Sequence, residues 1–342
     1  MDPTTTRPLG RTGLALTQLG MGTAPLGDLW ERIPEDQAQA AFKAAWQGGV
    51  RYYDTAPWYG NTLAEQRLGH FSRQQPRGEF VISTKVGRVY SRPDHPGAAG
   101  VGPWAGGLQF QLRFDYGYDA IMRAYEDSLH RLGLPRVDFL LIHDIDPGYH
   151  ESDEGVERCF EQLDSGGGVR ALEELRSAGE ISGFGAGINE GPMINRFLDR
   201  FDLDVLLVAM PYTLLDQAVL EDSLPRCVER GVGIVIGSPY ASGVLATGPT
   251  EGAKYNYAPA SPEVLDKTGK IQAVCERHGV ALPAAALQFP LGHPAVAAVI
   301  PGAVSAYEAE RNVATMQVKI PADLWVELKH EGLLHAEAPV PD

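Results

Sequence analysis

The chain lacks paired cysteines, basic clusters and long apolar runs. Its three cysteines, Cys159, Cys227 and Cys275, are odd in number and far apart, and no CxxC pair occurs, so neither a disulfide framework nor a zinc knuckle is indicated. No window approaches the ~18 apolar residues that a bilayer span requires, and the opening MDPTTTRPLGRTG has no apolar core of the kind a signal peptide needs. The sequence therefore predicts a soluble protein in a reducing cytoplasm.

Positive charge is also scarce. The chain has 29 Lys and Arg against 44 Asp and Glu, which gives a formal net charge of -15 at pH 7. Nucleic acids and anionic membranes are bound mainly through clustered Lys and Arg. We therefore expect neither partner, and expect a monomer or a small homo-oligomer that acts on a small molecule.

Two kinds of motif are absent as well. No GxGxxG opens a helix after the first strand-like run, and the glycines of GFGAGINEG have the wrong spacing for that dinucleotide fingerprint. HExxH is absent and no HxH pair stands at a strand end, so no metal-ligand cluster is visible. The first absence disfavours a doubly wound sheet, and the second disfavours a metal-dependent barrel hydrolase.

The sequence does contain an alternation of strand-like apolar runs and amphipathic helical stretches. The 342 residues are 44% hydrophobic, which is enough for one large barrel or for two domains. About eight βα units follow a hairpin-like start, with no linker and no change of composition. This pattern favours an α/β fold in which residues 1–342 form a single (β/α)8 TIM barrel, with a short N-terminal β-hairpin and long loops at its C-terminal rim.

Two long stretches and two helix starts add detail to this prediction. Residues 88–118 and 144–168 are predicted to be irregular, and the first stretch, too long for an ordinary connection, is expected to cover the substrate. The segments TLAE, at 62–65, and SAYE, at 305–308, are typical of capping boxes, in which the Glu side chain reaches back to the helix start. We therefore expect a helix to begin at each of these segments.

Polar residues stand at the ends of three successive strand-like runs. Asp54 ends one run, Lys85 ends FVISTK and His143 ends VDFLLIH. Tyr59 follows in the loop after the first of them. Each alone has a structural explanation: a turn former, a rim salt bridge or a satisfied histidine. In a barrel all four converge at the carboxyl ends of the strands, where such folds place their chemistry, so we interpret them as a candidate catalytic group.

These motifs resemble the aldo-keto reductase family over nearly the whole chain. The family's tetrad of Asp, Tyr, Lys and His is matched by Asp54, Tyr59, Lys85 and His143. The resemblance is most specific in DTAPWYG, STKVGR, SLHRLGLPRVDFLLIHD, PYTLLDQ and IPGAVSAYEAERN. Within the family, DSLHRLGLPRVDFLLIHDID, AMPYTLLDQ and SPYASGVLATG are most similar to the aldose dehydrogenase branch, which includes D-threo-aldose and L-galactose dehydrogenases and a pyridoxal 4-dehydrogenase.

The resemblance implies an NAD(P)-dependent oxidoreductase that oxidises the anomeric carbon of an aldose, of the L-fucose, D-arabinose or L-galactose type, to a lactone. A pyridoxal 4-dehydrogenase, or a general aldehyde or ketone reductase, is the alternative within the family. A non-catalytic nicotinamide-binding regulatory subunit, which could retain the tetrad, is the alternative of another class. Cofactor-dependent turnover of an aldose distinguishes an enzyme from such a subunit.

The chemistry of the tetrad follows from its side chains. A phenol is a poor proton acceptor at neutral pH because its reference pKa is about 10. An ammonium at ~4 Å contributes roughly 4 kcal/mol at an effective dielectric of ~20, so Lys85 is expected to lower the pKa of Tyr59, with desolvation opposing it. Asp54 would keep Lys85 charged and oriented. Tyr59 would then accept the anomeric hydroxyl proton, while His143 holds the same oxygen by a hydrogen bond.

The resemblance also implies an extended nicotinamide cofactor across the rim. The implied contacts are Asn189 at the carboxamide, Ser238 and Leu245 in a pyrophosphate loop, Asn312 at the adenine, and Gly302 and Glu308 near the 2′-position of the ribose. Ala209 and Gly237 depart from the Gln and the aromatic residue that many members carry. Members that prefer NADP commonly have a Lys and an Arg where this chain has Gly302 and Glu308. We therefore expect NAD to be preferred, with NADP possible.

The candidates for substrate binding are aromatic or acidic: Trp58, Tyr90, Trp104, Phe114, Asp144 and Asp146. Aromatic faces pack against the apolar C–H face of a sugar or against a flat pyridine. A loop aromatic residue also pins its loop to the barrel, and for Trp104 and Phe114 this explanation has equal weight. Asp144 and Asp146 either bind sugar hydroxyls or cap a turn.

Overall fold

The computed structural model describes residues 1–95, 99 and 102–341. Its strands are β1 (Thr6–Pro8), β2 (Ala15–Thr17), β3 (Met21–Gly22), β4 (Tyr52–Asp54), β5 (Val81–Val86), β6 (Arg88–Ser91), β7 (Gln111–Phe114), β8 (Phe139–His143), β9 (Gly183–Ile188), β10 (Val205–Ala209), β11 (Gly233–Gly237), β12 (Lys254–Tyr255), β13 (Ala258–Pro259) and β14 (Val296–Ile300).

The helices are α1 (Glu35–Gln47), α2 (Leu63–Ser72), α3 (Tyr118–Leu132), α4 (Pro147–His150), α5 (Asp153–Leu163), α6 (Gly168–Ser177), α7 (Pro192–Arg200), α8 (Ser223–Arg230), α9 (Val244–Thr247), α10 (Pro262–Arg277), α11 (Leu282–Gln288), α12 (Ala306–Met316) and α13 (Ala322–His330). Within the described ranges, none of the helices is long and apolar enough to cross a bilayer.

Eight parallel strands form one sheet in the order β3-β4-β5-β8-β9-β10-β11-β14. Its two ends meet, because Leu19 pairs with Val299 and Gly22 pairs with Gly302. The Gly20 N–H donates to the Val299 carbonyl at 2.9 Å, which continues the ladder across this join. The sheet is thus closed, and the predicted (β/α)8 TIM barrel is confirmed. The antiparallel pair β1–β2 is the predicted N-terminal hairpin.

The strands alternate between two cores. Tyr52, Leu141 and Val205 point into the barrel, where Leu9 and Leu16 of the N-terminal hairpin pack with them. Their strand neighbours Tyr53, Leu140, Ile142 and Leu206 belong to the second core, between the sheet and its helices. Successive strand residues point to opposite faces, so every second residue of a strand faces the barrel interior. A polar residue at such a position near the strand end therefore points into the barrel at its rim.

Both stretches that were predicted to be irregular contain regular structure. Strands β6 and β7 form an antiparallel hairpin within residues 88–118, with Arg88 opposite Phe114. Helix α5 lies within residues 144–168, and the Ser152 side chain caps it by accepting from the Gly155 N–H. The buried residues of α5, Val156, Cys159, Phe160 and Leu163, lie on one helical face. The prediction of two irregular stretches is therefore wrong.

The capping box predicted at the start of α2 is also wrong. Thr62 adopts the left-handed conformation, with φ 84°, and its side chain makes no capping hydrogen bond. Glu65 is fully buried instead. Its carboxylate accepts from Thr84 Oγ1 at 2.7 Å and from Arg131 Nε at 2.5 Å. Glu65 therefore joins α2 to β5 and α3, because a buried carboxylate is stable only with partners of this kind.

Candidate active site

Asp54, Lys85 and Tyr59 meet at the C-terminal rim of the barrel. The Lys85 Nζ atom donates to Asp54 Oδ2 at 2.6 Å, to the Thr55 carbonyl at 2.9 Å and to Tyr59 OH at 3.0 Å. The second Asp54 oxygen accepts from Ser83 Oγ at 2.7 Å. One ammonium group therefore bridges a carboxylate and a phenol.

Strand register and a tight turn bring these side chains together. β4 and β5 are parallel with Asp54 opposite Ser83, and Lys85, two residues further on, points to the same face. The turn after β4 passes through Gly60, whose φ is 67°. A Cβ atom there would lie 2.6 Å from the Gly27 carbonyl oxygen, so only glycine fits. This turn reverses the chain and returns Tyr59 over the strand end.

The Asp54–Lys85 ion pair is shielded from solvent, with side chains 2% and 1% exposed. Burial raises the pKa of the Asp54 carboxyl, and the charge of Lys85 with the hydrogen bonds from Lys85 and Ser83 opposes this rise. Both partners donate to the carboxylate, which suits its ionised, acceptor-only form. The opposite charges of Asp54 and Lys85 therefore neutralise each other, and the ion pair is held in a fixed position next to the Tyr59 hydroxyl.

The pKa of Tyr59 differs from the expectation. Burial raises it well above the ordinary value of 10.0, and the Asp54 and Asp144 carboxylates raise it further. Lys85 does not overcome these effects, because Asp54 at 2.6 Å already balances its charge. The expectation had Lys85 lowering this pKa with desolvation opposing it; in the cofactor-free protein the desolvation and the two carboxylates prevail, so the net shift of the Tyr59 pKa is upward. At neutral pH, Tyr59 carries its proton.

His143 lies beside Tyr59 as a neutral imidazole. The two ring centroids are 5.8 Å apart and the rings are nearly perpendicular, at 87°. Burial lowers the pKa of His143 well below 6.5, and the positive charges of Arg88 and Lys85 lower it further. The His143 Nε2 atom lies 3.2 Å from Asp144 Oδ2. A neutral imidazole has one N–H to donate and one nitrogen to accept, so it can orient a substrate hydroxyl.

These side chains border a cavity of about 210 Å³, which we call the inner pocket, lined among others by Trp58, Tyr59, Trp104, His143, Tyr149 and Asn189. Asp144 also lies in its wall. The Trp58 ring contacts the Trp104 and Tyr149 rings edge-on, with centroids 5.1 Å and 5.5 Å away. The sequence-predicted residues Trp58, Trp104, Asp144 and Asn189 thus come together around the tetrad.

Two other predicted substrate residues lie elsewhere. The Phe114 ring packs 4.8 Å from the His150 ring and 4.7 Å from the Arg88 guanidinium carbon. The Tyr90 hydroxyl donates to Asn61 Oδ1 at 3.2 Å. As the described residues define it, the inner pocket includes neither Phe114 nor Tyr90. Both rings fix the hairpin β6–β7 to its neighbours, the structural explanation given above for a loop aromatic residue.

Asp146 caps a turn, one of its two predicted alternatives. Its Oδ1 atom accepts from the backbone N–H groups of Asn189 and Glu190 at 3.1 Å and 2.9 Å. Burial, with the nearby charge of Asp144, raises the pKa of the Asp146 carboxyl to about 7. Asp146 therefore holds the turn after β9 and with it the backbone of Asn189.

A second depression, the outer groove, joins the inner pocket at Tyr59 and continues across the rim, lined among others by Ala209, Gly237, Ser238, Pro301, Gly302 and Glu308. Its floor near Tyr59 is bare, because Ala209 and Gly237 carry almost no side chain. A Cβ atom at Gly237 would lie 3.0 Å from the Leu207 side chain. A flat ring fits this floor, and the polar residues lie further along. The outer groove thus extends from Tyr59 to Glu308, and its lining residues are the ones that could hold an extended cofactor.

Two predicted cofactor contacts support the outer groove without lining it. Leu245 is fully buried, and its N–H donates to the Tyr240 carbonyl at 3.2 Å. The Asn312 amide donates to the Gly302 carbonyl at 3.1 Å, and its oxygen accepts from Tyr240 OH at 3.0 Å. Asn312 thus holds two segments of the groove wall together.

Glu308 lies at the far end of the outer groove, at the start of α12. Ser305 is the N-cap, as predicted, and its hydroxyl accepts from the Glu308 N–H at 3.3 Å. The Glu308 carboxylate accepts from the Val304 N–H at 2.8 Å, one residue before the cap. Its negative charge therefore stays at the groove end while it caps the helix.

The hairpin β12–β13 reaches both cavities, which the sequence did not indicate. Tyr257 at its turn and Trp30 from the opposite side line the inner pocket and the outer groove. The Lys254 ammonium lies 3.4 Å from the Trp30 ring centroid, a cation–π contact between the two sides. Asn256 and Tyr257 have positive φ values, but Asn-Tyr is not the Asn-Gly pair that signals such turns.

Comparison with known proteins gives consistent matches. Residues 18–330 match the Aldo/keto reductase family. A pyridoxal 4-dehydrogenase of Microbacterium luteolum is 41% identical over 339 residues, covering 96% of this chain and 97% of its own. A D-threo-aldose 1-dehydrogenase of a Pseudomonas species is 36% identical, with 94% and 96% covered. The holo form of an aldo-keto reductase from Bacillus halodurans superimposes with a TM-score of 0.74, at 24% identity over 99% of this chain and 98% of its own.

Proposed function

We propose that this protein, which belongs to the aldo/keto reductase family, oxidises a cyclic hemiacetal to a lactone. As an NAD(P)-dependent oxidoreductase, it would remove hydride from the hemiacetal carbon that carries the hydroxyl group. The observation that carries the proposal is the position of Tyr59. Its hydroxyl is held by Lys85 where the aromatic inner pocket meets the outer groove. A substrate ring in the pocket and a nicotinamide in the groove would meet at this hydroxyl.

The chain's own side chains move one proton in this reaction. The phenolate oxygen of Tyr59, formed once Tyr59 has released its own proton to solvent, accepts the proton of the hemiacetal hydroxyl, and His143 holds the same hydroxyl oxygen. Lys85 Nζ, which donates to the phenol oxygen, stabilises the phenolate that acts as the base. A bound oxidised nicotinamide would supply the hydride acceptor at the adjacent carbon.

We expect oxidation to accelerate steadily with pH. The base is the Tyr59 phenolate, whose fraction rises about tenfold per pH unit below its pKa. Burial places this pKa well above 10.0. The value of kcat/KM for oxidation should therefore rise from pH 7 to pH 9.5 without a plateau. A plateau reached near pH 7 would contradict the raised pKa.

Aldoses of the L-fucose, D-arabinose or L-galactose type are the first substrates proposed. The rings of Trp58, Trp104 and Tyr149 offer apolar faces to the C–H face of a sugar ring. Asp144 and Asn189 lie in the same wall and offer polar atoms to the hydroxyls. Pyridoxal is the second candidate, because it also closes to a cyclic hemiacetal, its pyridine ring suits the same aromatic wall, and the relative at 41% identity is a pyridoxal 4-dehydrogenase.

A substrate panel tests the proposal. Purified protein with NAD is expected to form NADH from at least one of L-fucose, D-arabinose, L-galactose and pyridoxal, with the lactone as product. The matched control is the methyl glycoside of each active sugar, which has no anomeric hydroxyl and should give no NADH. If cofactor binds but none of the four is turned over, the proposed activity is wrong and the regulatory subunit is favoured.

We also propose that NAD is preferred to NADP, because Glu308 presents a carboxylate at the end of the outer groove. Glu308→Arg should shift the ratio of kcat/KM values towards NADP by about ten- to a hundredfold, since a charge-assisted hydrogen bond contributes roughly 1.5–3 kcal/mol. Glu310→Arg is the matched control, because Glu310 is exposed on the same helix and makes the same charge change. Equal kcat/KM values for both cofactors in the unmodified protein would contradict the preference.

A further inference from the structure

Arg88 is a buried cation behind the wall of the inner pocket. Its side chain is 2% exposed, and its guanidinium carbon lies 4.1 Å from the Trp58 ring centroid, 4.7 Å from that of Phe114 and 5.0 Å from that of Tyr149. Trp58 and Tyr149 line the inner pocket, whereas Phe114 does not. One guanidinium group thus contacts two pocket walls and a supporting ring, and cation–π attraction holds each against it.

Arg88 also fixes the acid at the centre of the site. Its Nη2 atom donates to Asp144 Oδ2 at 2.7 Å, while the Asn189 side-chain amide donates to Asp144 Oδ1 at 2.9 Å. The same Oδ2 atom lies 3.2 Å from His143 Nε2. Asp144 therefore connects Arg88 to the neutral imidazole and to the amide, and without Arg88 it would be a buried carboxylate with only neutral partners.

Fold stability alone does not account for this arrangement. A buried ion pair often contributes no more stability than apolar residues of the same volume, because desolvation offsets the attraction. The Arg88 Nε atom is buried and has no hydrogen-bond partner in the described part of the chain, which adds a further cost. Such a cost is consistent with a group kept for the geometry that it imposes on its neighbours.

We propose that Arg88 is a positioning residue for substrate recognition, which sets the Trp58–Tyr149 wall and, through Asp144, the orientation of His143 and Asn189. The proposal rests on the proposed function, since it concerns the same pocket. The proposal predicts that loss of Arg88 changes the substrate KM much more than it changes kcat. Loss of Arg88 should loosen the substrate contacts while Tyr59, Lys85 and Asp54, which Arg88 does not contact, keep their hydrogen bonds.

The test compares Arg88→Met, Arg88→Lys and the double variant Arg88→Met with Asp144→Asn. Arg88→Met should raise the substrate KM by about ten- to a hundredfold, because the Trp58–Tyr149 wall and Asp144 lose the group that holds them against the substrate, and loss of binding common to ground state and transition state raises KM. The value of kcat should fall less than about threefold. Arg88→Lys, which keeps the charge but not the planar group, should recover only part of the loss. The double variant removes the unpaired carboxylate, so it should regain thermal stability but not the low KM.

Two measurements keep the proposal separate from the proposed function. NMR titration of His143 should show its pKa rising in Arg88→Met, because the positive charge that depresses it is gone. NADH fluorescence reports cofactor affinity without turnover, and we expect a change of less than about threefold, since Asn189 is one contact among several. If the unmodified protein turns over no substrate, the proposed function fails, and these two measurements still test Arg88.

The milder variant Phe114→Leu keeps the proposal testable if the Arg88 variants fail to fold. It removes one of the three rings and leaves the ion pair intact, and it should raise the substrate KM by about two- to fivefold. The positioning role is overturned if the double variant has a substrate KM within twofold of the unmodified protein. It is equally overturned if the apparent kcat falls in proportion to the unfolded fraction while the substrate KM stays unchanged, or if the pKa of His143 does not move.

Discussion

Replacing Tyr59 with phenylalanine is expected to lower kcat by about 10³-fold, because a positioned general acid–base group contributes ~10²- to 10⁴-fold. The change deletes only the hydroxyl that accepts from Lys85 at 3.0 Å. The ring remains, so its contacts with Trp104 and His143, at centroid distances of 5.9 Å and 5.8 Å, are kept. Cofactor affinity, measured by NADH fluorescence, should therefore stay within about twofold of the unmodified protein, since the ring of residue 59 that borders the outer groove is retained.

Tyr149→Phe is the matched control for this variant. Tyr149 also lines the inner pocket and also loses only a hydroxyl, but Lys85 donates to Tyr59 and not to it. We expect its kcat to stay within about fivefold of the unmodified protein. Survival of dehydrogenase activity within tenfold in Tyr59→Phe, or an equal loss in both variants, would show that Tyr59 is not the proton acceptor.

The barrel was predictable because its signals are local and repeated. Each apolar run identifies a strand, and strand register alone places Asp54 opposite Ser83, with Lys85 two residues further on the same face. His143 follows by the same argument, as the last residue of β8. Residue type and position along the chain are therefore enough to predict that these groups lie together at one rim of the barrel.

The missed helix α5 carried a readable signal. Ser152 is a good N-cap residue, and Val156, Cys159, Phe160 and Leu163 recur at helical spacing. The error arose because the Gly-rich and acidic residues on either side obscured the period. The hairpin β6–β7 is different, because its pairing joins residues 20 to 26 positions apart through a Gly- and Pro-rich segment, and no local pattern specifies that pairing.

Arg88 and the pKa of Tyr59 could not be read from the sequence at all. Arg88 acquires its role from three rings, Trp58, Phe114 and Tyr149, that belong to three separate segments. The pKa of Tyr59 is set first by burial, which depends on how the whole rim packs. Sequence reasoning identified the charge partner correctly but had no measure of the desolvation that opposes it.

Lys85→Met is the second variant with a large expected effect. Lys85 is the cation that donates to the Tyr59 oxygen, and removing one preorganised donor to a developing oxyanion costs about 10²- to 10³-fold in kcat. The substitution also leaves Asp54 buried without its cation. That carboxylate already raises the pKa of Tyr59, and without Lys85 beside it the rise should be larger.

The pH profile separates this role from a general loss of structure. Because the base is the deprotonated phenol, a higher pKa of Tyr59 means that the residual activity of Lys85→Met, followed above pH 9.5, should level off at a higher pH than that of the unmodified protein. Breaking the buried pair should also lower the free energy of unfolding by roughly 3–5 kcal/mol, measured by urea denaturation.

Adding Asp54→Asn removes the unpaired carboxylate, so it should restore most of this stability and reverse part of the pH shift. The double variant should still lack the donor to the Tyr59 oxygen and stay slow. An unmoved pH profile in Lys85→Met, or a double variant as fast as the unmodified protein, would mean that Lys85 acts only by holding the rim together.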